Sequence, residues 1–584
     1  MFIVNHIKQL VKILSNKDFH IRVEKLELVM PNSTDPNVQE WITEALDLME
    51  IVTNEREELK KENQRLKDEN NRLKGEQGKP DIKANTAKKQ GDHSSENERK
   101  NKKETSVDDK KTNKDKKQKR NRQSKVSRIK VDRDKICPID KDSLPADATF
   151  KGYSDSIVQD IKIITDNVRY RREVYYSASM KKSYYGDLPS DVAGQGEYGV
   201  GVRSLLPLFK SECHLSEKSM LSFFHNFGII ISPGYISNQW TKGYDFLHQE
   251  KSDIYQTGLK KGSYQQIDDT GARVKGKNHY THIICNSSYA AFFTTPRKDR
   301  LTVLDIFKNF TPREYMYDST AIDILKIFKL SKKICKSLDS ILENQKLYDD
   351  TSFDKLLNDI PTKVGPNQRT RIKEACAISA YWKQTDFPII EQLICDDAPQ
   401  FKQLTKYLGL CWIHDGRHYK KLNPLFKNHQ QIVDDFLKKY WNYYHQLLDY
   451  KKSPNPEKSI RLAKDFDALF HTQTGYEQLN NRIAKTLAKR EELLLALKYP
   501  QLPLHNNASE LAARVQARYR DISLHTMSEK GTKIKDAIMT VSQTAKKLGV
   551  RTYEYLYDRV SGQYNMPSLA QLIEENSSDY VPVI

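Results

Sequence analysis

The pattern of apolar and polar positions changes character along the chain, and each change predicts a different kind of structure. Apolar side chains recur every seven residues over 42–74, almost vanish over 76–135, and return in short strand-like and helix-like runs from residue 136 onward. The 584 residues are enough for several domains and at least one sizeable core. We therefore expect an ordered α/β part that follows a helix and a polar linker, with residues 1–41 unassigned.

The heptad over 42–74 predicts a parallel homodimeric coiled coil. Glu at g and Lys at e would face each other between chains, and Asn at a specifies two strands in a fixed register. The dimer contacts would come from Leu59, Asn63, Leu66, Asn70 and Leu73. A single solvated helix held by local Glu–Lys pairs is the alternative.

Residues 75–135 predict a disordered basic linker. The segment has no aromatic residue and few large aliphatic ones, so it cannot bury enough surface to offset its chain entropy. Residues 76–135 carry 21 Lys or Arg against 11 Asp or Glu, which is a net +10 of the chain's +19. Such a charge favours a polyanionic partner. A tether that only keeps two domains apart is an equally good interpretation.

Cysteine usage and the first residues indicate a cytoplasmic protein. The seven cysteines are scattered without a CxxC pair, which suits reduced thiols. Lysines interrupt the short apolar start, so we predict no signal peptide and no membrane span. Residues 136–185 resemble a degenerate zinc knuckle, in which Cys137 remains and Asp140 stands where a partner Cys would fall. Because a structural zinc site needs four ligands, we expect no zinc there.

Residues 186–260 predict a helical region with a helix–turn–helix pattern at 214–240. Ser216 can cap a first helix, Gly228 ends it, and Ser232 with Pro233 can start a second. A DNA-reading helix pair and an ordinary helical hairpin are both open.

Three acidic residues of the segment 261–520 are candidate metal ligands. Asp268 lies in a strand-like run, followed by two more such runs joined at Ser287-Ser288 and then a probable helix, which is how a ribonuclease H-like domain opens. Asp396 closes a later apolar run, and Glu510 lies in the first turn of a helix that Asn506 or Asn507 could cap. Three carboxylates can hold two Mg²⁺ or Mn²⁺ ions for phosphodiester chemistry. The spacing alone does not select this triplet among 77 acids.

Several motifs together resemble the IS66-family DDE transposases. The run 505–560 carries Asn-Asn-x-x-Glu, a Ser-x-x-Gly turn (Ser528 to Gly531), Thr-Ala-x-x-x-Gly from Thr544, and Tyr-x-Tyr-Leu from Tyr553. "IDDTGARV" looks like the family's Asp-Glu-Thr motif, and "LICDDAPQF" followed by "LCWIHDGRHYKKL" resembles the segment of the second Asp and a Cys-Trp-x-His-x-Arg-Arg motif. Residues 521–584 would be the C-terminal signature and tail.

The resemblance implies a DNA transposase with a mixed-sheet ribonuclease H-like core. Asp268, Asp396 and Glu510 would hold two Mg²⁺ or Mn²⁺ ions for end cleavage and strand transfer. Expected partners are DNA, a second copy of the chain and small accessory proteins of the same element, at the nucleoid in the cytoplasm. From charge and sequence proximity we expect DNA contacts from basic side chains, namely Lys275, Lys277, Arg417, Arg514 and Arg518.

Departures from the family pattern leave two other functions open. Asp269 replaces Glu and is expected to be a neighbour of the ligands, Gly416 replaces Arg, and helical insertions are expected at about 311–386 and 420–500. The chain could be an inactive, dimeric DNA-binding protein, or a nuclease without strand transfer. Cys411 and His414 are expected to be structural, since two ligands make no metal site. The stripe Phe436, Tyr440, Trp441 and Tyr444 is expected to be core.

Overall fold

A computed structural model describes residues 197–576 without a gap, residues 129–192 apart from 141–143, 146, 162 and 190–191, and parts of the segment 50–66. The strands of these residues are β1 (Val174–Ser177), β2 (Lys182–Tyr185), β3 (Gln265–Val274), β4 (Lys277–Cys285), β5 (Ala290–Thr295), β6 (Glu314–Met316), β7 (Leu347–Asp349), β8 (Gln392–Cys395) and β9 (Tyr407–Leu410).

Most of the remaining ordered structure is helical. The α-helices are α1 (Val200–Ser211), α2 (Glu217–Asn226), α3 (Pro233–Asn238), α4 (Phe246–Lys261), α5 (Arg300–Phe307), α6 (Ser319–Ile327), α7 (Lys332–Ile341), α8 (Asp350–Asn358), α9 (Pro366–Lys383), α10 (Trp412–Lys420), α11 (Lys427–Lys452), α12 (Pro456–Phe470), α13 (Glu477–Leu487), α14 (Arg490–Leu493), α15 (Leu495–Lys498), α16 (Asn507–Ser523), α17 (Glu529–Lys547), α18 (Thr552–Ser561) and α19 (Leu569–Asn576).

A five-stranded mixed sheet organises this α/β fold. Its order is β5-β4-β3-β8-β9, in which β4 is antiparallel to both β5 and β3, and β8 is parallel to both β3 and β9. The β3–β4 hairpin turns at Lys275 and Gly276, whose φ angles of 49° and 73° suit the two-residue turns that match the twist of a hairpin. The three predicted strand runs and the following helix α5 are thus confirmed.

Alternating side chains give the sheet two buried faces. Ile283, Cys285 and Phe292 face α16 and α17, where they pack against Ala512, Ala513 and Met539. The intervening residues Ile284 and Phe293 join the main core, in which Tyr255 of α4 packs on Phe293 with ring centroids 4.9 Å apart. The sheet is therefore covered by helices on both sides.

Side chains of helix α17 also accept hydrogen bonds from the backbone N–H groups of the edge strand β5. The backbone N–H groups of Ala290 and Phe292 donate to the hydroxyls of Thr544 (3.3 Å) and Thr540 (3.1 Å), and that of Thr294 donates to the Asp536 carboxylate (2.6 Å). Side chains four residues apart on one helix face thus bond alternate N–H groups of a strand. The covered edge cannot pair with another chain.

Two further groups of elements interrupt the core. Residues 311–386 contain α6 to α9, as the sequence predicts, and also a small antiparallel sheet of β6 and β7. Residues 427–498 form α11 to α15, in which Tyr440 and Tyr443 pack within 5.6 Å of the Trp412 ring, measured between centroids. All four residues of the aromatic stripe are buried, so the prediction that they are core is confirmed.

The capped helix pair at 214–240 has the predicted local structure. The Ser216 hydroxyl accepts the Ser219 N–H at 3.2 Å at the start of α2, and the Ser232 hydroxyl accepts the Tyr235 N–H at 3.1 Å at the start of α3. Gly228 has a φ of 73°, which ends α2 in the left-handed conformation that glycine favours.

The predicted N-terminal elements lie largely outside the described residues, which include neither 1–49 nor 67–128. The described positions between 50 and 66 are helical, and the buried Glu50 carboxylate accepts the Leu425 N–H and the Tyr476 hydroxyl, each at 2.9 Å. Residues 129–135 carry no helix or strand. In the region predicted as a degenerate knuckle, Cys137 is exposed and β1 pairs with β2. No helix within the described ranges is long and apolar enough to cross a membrane.

Candidate functional site

The register of the central sheet brings Asp268 and Asp396 together. Gln266 of β3 is aligned with Ile394 of β8, and continuing this parallel register by two residues aligns Asp268 with Asp396. Neighbouring strands lie about 4.8 Å apart. Asp268 is also paired with Ile283, which faces α16, so its side chain belongs to the face that this helix covers.

Gln266 connects the strand of Asp268 to the helix of Glu510. Its side-chain oxygen accepts the N–H groups of Ala508 (3.0 Å) and Ser509 (3.4 Å), and its side-chain nitrogen donates to the His505 carbonyl at 3.2 Å. These N–H groups are among those that a helix leaves unbonded at its start. Gln266 therefore caps α16 from the sheet and fixes the helix turn that carries Glu510.

The predicted capping of α16 by Asn506 or Asn507 is wrong. Asn506 is the residue before the helix, but its side chain donates to the Ile267 carbonyl at 2.7 Å and caps no helical N–H. The prediction failed because a partner 240 positions away in sequence, Gln266, had already taken these N–H groups. The Ser-x-x-Gly turn of the sequence lies at the start of α17. There the Ser528 hydroxyl caps the helix by accepting the Gly531 N–H at 3.0 Å.

The three acids are half-buried and repel one another. Burial raises the pKa of Asp268 to about 7, and the negative charges of Asp396, Asp269 and Glu510 add to this effect, against a hydrogen bond from the Asp269 N–H. Burial also raises the pKa of Asp396, although nearby His414 opposes the shift. Folding thus places several carboxylates close together, and shifted pKa values of this kind are typical of functional sites.

Glu510 is held from the other side by α10. The Arg417 guanidinium lies 3.4 Å from one Glu510 oxygen, His414 Nδ1 lies 3.6 Å from the other, and Arg417 also donates to His414 Nε2 at 3.1 Å. Burial lowers the pKa of His414, with Glu510 acting to raise it and Arg417 to lower it. The contact of His414 with Glu510 is invisible in the sequence, where 96 positions separate the two. Only the motif around Cys411 could have signalled it.

The second residues of both Asp-Asp pairs have partners of their own. Asp269 accepts hydrogen bonds from Lys298 (3.1 Å) and Gln400 (2.8 Å). Asp397 pairs with Lys402 and Lys489, and although burial raises its pKa, these lysines hold the pKa below the usual value. Lys489 also lies 3.8 Å from Asp415, so it joins the end of β8 to the helical insertion.

The predicted DNA-contacting residues are dispersed. Lys275 and Lys277 are exposed at the tip of the β3–β4 hairpin, six to seven strand positions from Asp268, which is roughly 20 Å. They are near the acid in sequence and far from it in space. Arg514 and Arg518 are exposed on α16, one and two turns after Glu510. Arg417 contacts Glu510, a predicted metal ligand, at 3.4 Å.

Comparison with known sequences places this arrangement in a family. The family described as "Transposase IS66 family" matches residues 391–534, which span Asp396, the segment Cys411–Arg417 and Glu510. The chain is also 30% identical over 318 residues to "Uncharacterized protein y4jO" of Sinorhizobium fredii (strain NBRC 101917 / NGR234), a match that covers 54% of this chain and 98% of the relative. The chain belongs to the IS66 transposase family. No solved structure matches this IS66-family protein.

Proposed function

We propose that this IS66-family protein is an active DNA transposase with a ribonuclease H-like core, in which Asp268, Asp396 and Glu510 hold divalent metal ions for DNA end cleavage and strand transfer. In such a core the first acid lies on the first strand, the second follows a later buried strand, and the third lies on a late helix across the sheet. The strand order β5-β4-β3-β8-β9 and the positions of the three acids support this proposal.

The observation that carries the proposal is the meeting of the three acids: the register of β3 with β8 aligns Asp268 with Asp396, and Gln266 of β3 caps the helix that carries Glu510. Burial also raises the pKa of Asp268 to about 7. Burial and three neighbouring carboxylates make its ionised form unfavourable, and a divalent cation would remove this cost. The donor set is made of carboxylate oxygens, which suits Mg²⁺ or Mn²⁺. When bound, two such ions would activate the attacking oxygen and stabilise the leaving one.

The remaining residues of the site would position Glu510 and the DNA. Gln266 caps α16, and His414 and Arg417 contact the Glu510 carboxylate, so all three act on its orientation. The Arg417 side chain is 45% exposed beside the acids and could turn to a DNA phosphate, while Arg514 and Arg518 continue the basic surface along α16. Homodimers, accessory proteins of the element and a location at the nucleoid belong to the same proposal.

The test is cleavage and joining of DNA that carries the ends of the element, with Mg²⁺ or Mn²⁺. Wild-type protein is compared with Asp396→Ala and with Asp386→Ala, which removes an exposed acid before β8. We expect metal-dependent cleaved and joined products from wild type and Asp386→Ala, and a loss of at least about a hundredfold in Asp396→Ala, because a metal ligand is gone.

The other two functions predict different outcomes of the same assay. Cleavage without joining would favour a nuclease that lacks strand transfer. Absence of product from wild type and both variants, with tight binding to the element's ends retained, would favour a DNA-binding protein that has lost its chemistry.

A further inference from the structure

A second cluster of potential metal ligands lies next to the three acids. Atoms of Cys411, His414 and Glu510 that could each bind a metal ion all lie within 4.8 Å of one another. Among the described residues this is the one such group, so the carboxylates of Asp268, Asp396 and Glu510 are spread more widely than this cluster. The ligand set of sulfur, imidazole and carboxylate differs in kind from three carboxylates.

We propose that Cys411, His414 and Glu510 form a binding site for a soft divalent cation such as Zn²⁺, adjacent to the acid cluster and sharing Glu510 with it. Thiolate and imidazole select Zn²⁺ over Mg²⁺, which prefers oxygen ligands. Three protein ligands leave a fourth position for water, as in zinc sites that are open to solvent.

The surroundings suit a bound cation. Cys411 directly follows β9 and precedes α10. Its sulfur accepts the Asn506 N–H at 3.3 Å, and this hydrogen bond would stabilise a thiolate. His414 Nδ1 is buried and has no hydrogen-bond partner within the described structure, and it is directed at Glu510. The His414 side chain as a whole is 30% exposed, which gives a cation a path from solvent.

Two changes must accompany binding. Burial raises the pKa of Cys411 to about 12, while N–H groups of His414 and Asn506 act to lower it, so the thiol gives up its proton to solvent only as the cation arrives. Arg417, which donates to His414 Nε2, must turn away so that Nε2 can carry the imidazole proton while Nδ1 binds the cation. Arg417 therefore opposes binding by charge and by hydrogen bonding.

Titration of the reduced, full-length protein with Co²⁺ tests the site, because a thiolate ligand gives an intense near-ultraviolet charge-transfer band. We expect one equivalent to bind, Zn²⁺ to displace it and Mg²⁺ to leave it in place. Cys411→Ser should lose the band, and His414→Ala should weaken binding by at least about tenfold. The matched controls Cys137→Ser and Cys213→Ser, which change exposed thiols, should keep it.

Arg417→Gln provides a test that does not depend on removing a ligand. We expect it to bind Co²⁺ several-fold more tightly than wild type, since a competing positive charge is gone. A wild type without the band, a Cys411→Ser variant that retains it, or weaker binding in Arg417→Gln would each overturn the proposal.

A consequence for activity rests on the proposed function. A cation held by Cys411 and His414 would withdraw Glu510 from the acid cluster, so Zn²⁺ should inhibit Mg²⁺-dependent DNA cleavage. The measurement is the ratio of rates with and without Zn²⁺, taken separately in wild type and in Cys411→Ser. Equal inhibition of the two would contradict this consequence, and an inactive wild type that still shows the Co²⁺ band would contradict the proposed function instead.

Discussion

Asp268 is a carboxylate that folding moves into an unfavourable environment. Its pKa rises to about 7 from an ordinary value near 3.8, so the folded protein binds the proton more tightly than the unfolded chain does. Protonated Asp268 therefore contributes to the stability of the folded state. This contribution is complete below pH 3.8 and is lost as the pH rises through 7. At pH 8 without metal, the ionised Asp268 is therefore a cost to the fold.

We predict that Asp268→Asn stabilises the metal-free protein at pH 8. The gain in the free energy of unfolding should be at most about 4 kcal/mol, from three pKa units at about 1.4 kcal/mol each, and should vanish near pH 4. Denaturant unfolding in EDTA at both pH values measures it, with Asp386→Asn as the exposed control. Mg²⁺ should raise the melting temperature of wild type but not of Asp268→Asn. Equal stability of the two at pH 8 would contradict the electrostatic account.

Gly416 shows how one departure from the family pattern is compensated. A Cβ atom at this position would lie 2.7 Å from Cη2 of Trp441 and 3.0 Å from a ring carbon of Tyr440. The indole of Trp441 occupies the space that a side chain at 416 would need, so the family's Arg does not fit here. Packing against the helical insertion thus explains the glycine at this position.

Gly416→Ala should destabilise the protein by about 1–3 kcal/mol, because the tightly packed rings must shift. Gly201→Ala is the matched control: Gly201 also lies in a helix, and its Cβ would meet no heavy atom within 4 Å. That control should be neutral or stabilising by up to about 1 kcal/mol. Thermal or denaturant unfolding compares the two. A Gly416→Ala variant as stable as wild type would show that Trp441 moves freely.

At the scale of elements, the central sheet and its two crossing helices are joined by side chains that complete backbone hydrogen bonding. Gln266 caps α16, and Asp536, Thr540 and Thr544 of α17 bond the edge of β5. The Thr544 position of the C-terminal signature therefore has a structural role. These bonds fix the helices relative to the strands, which in turn fixes Glu510 relative to Asp268.

We expect Gln266→Ala to cost about 1–3 kcal/mol of stability, because it leaves buried N–H groups at the start of α16 unbonded. If the proposed function holds, DNA cleavage should also fall by about tenfold or more, since Glu510 loses its support. Gln392→Ala on the neighbouring strand is the control; its side-chain oxygen accepts no hydrogen bond within the described residues. Loss of stability with full activity retained would argue against a positioning role.

For the whole molecule, the heptad predicts a dimer. Leu59 and Leu66 occupy d positions of the pattern and are themselves helical, with 67% and 56% of their surface exposed in the single chain. Aliphatic side chains at this spacing are those that a partner helix would bury.

Replacing Leu59 and Leu66 by Ser should therefore convert dimers to monomers in analytical ultracentrifugation. Glu58→Ser and Arg65→Ser, exposed neighbours outside the a and d positions, are the matched control and should leave the dimer intact. Dimers in both variants would place the dimer contact elsewhere in the chain.

Much of the local structure could be predicted because its causes are local. The hydroxyl caps at Ser216 and Ser232, the glycine end of α2 and the three opening strands each depend on a few adjacent residues. The identity of Asp396 and Glu510 came from motif resemblance, since their neighbours in sequence are ordinary. The caps of α16 and the hairpin-tip position of Lys275 were missed because they depend on strand length and on partners far along the chain.

By itself, the sequence determined the strands β3 to β5 and the capped starts of α2 and α3, because periodicity and turn residues act over a few positions. It also determined the family, because the C-terminal motifs are long and specific. Only the tertiary structure decided which charged groups meet. The register of β3 with β8 aligns Asp268 with Asp396. Gln266 caps α16, which carries Glu510, and α10 carries the His414 that contacts it. Strand pairing and helix packing join residues about a hundred positions or more apart in sequence, and no local pattern encodes which of them meet.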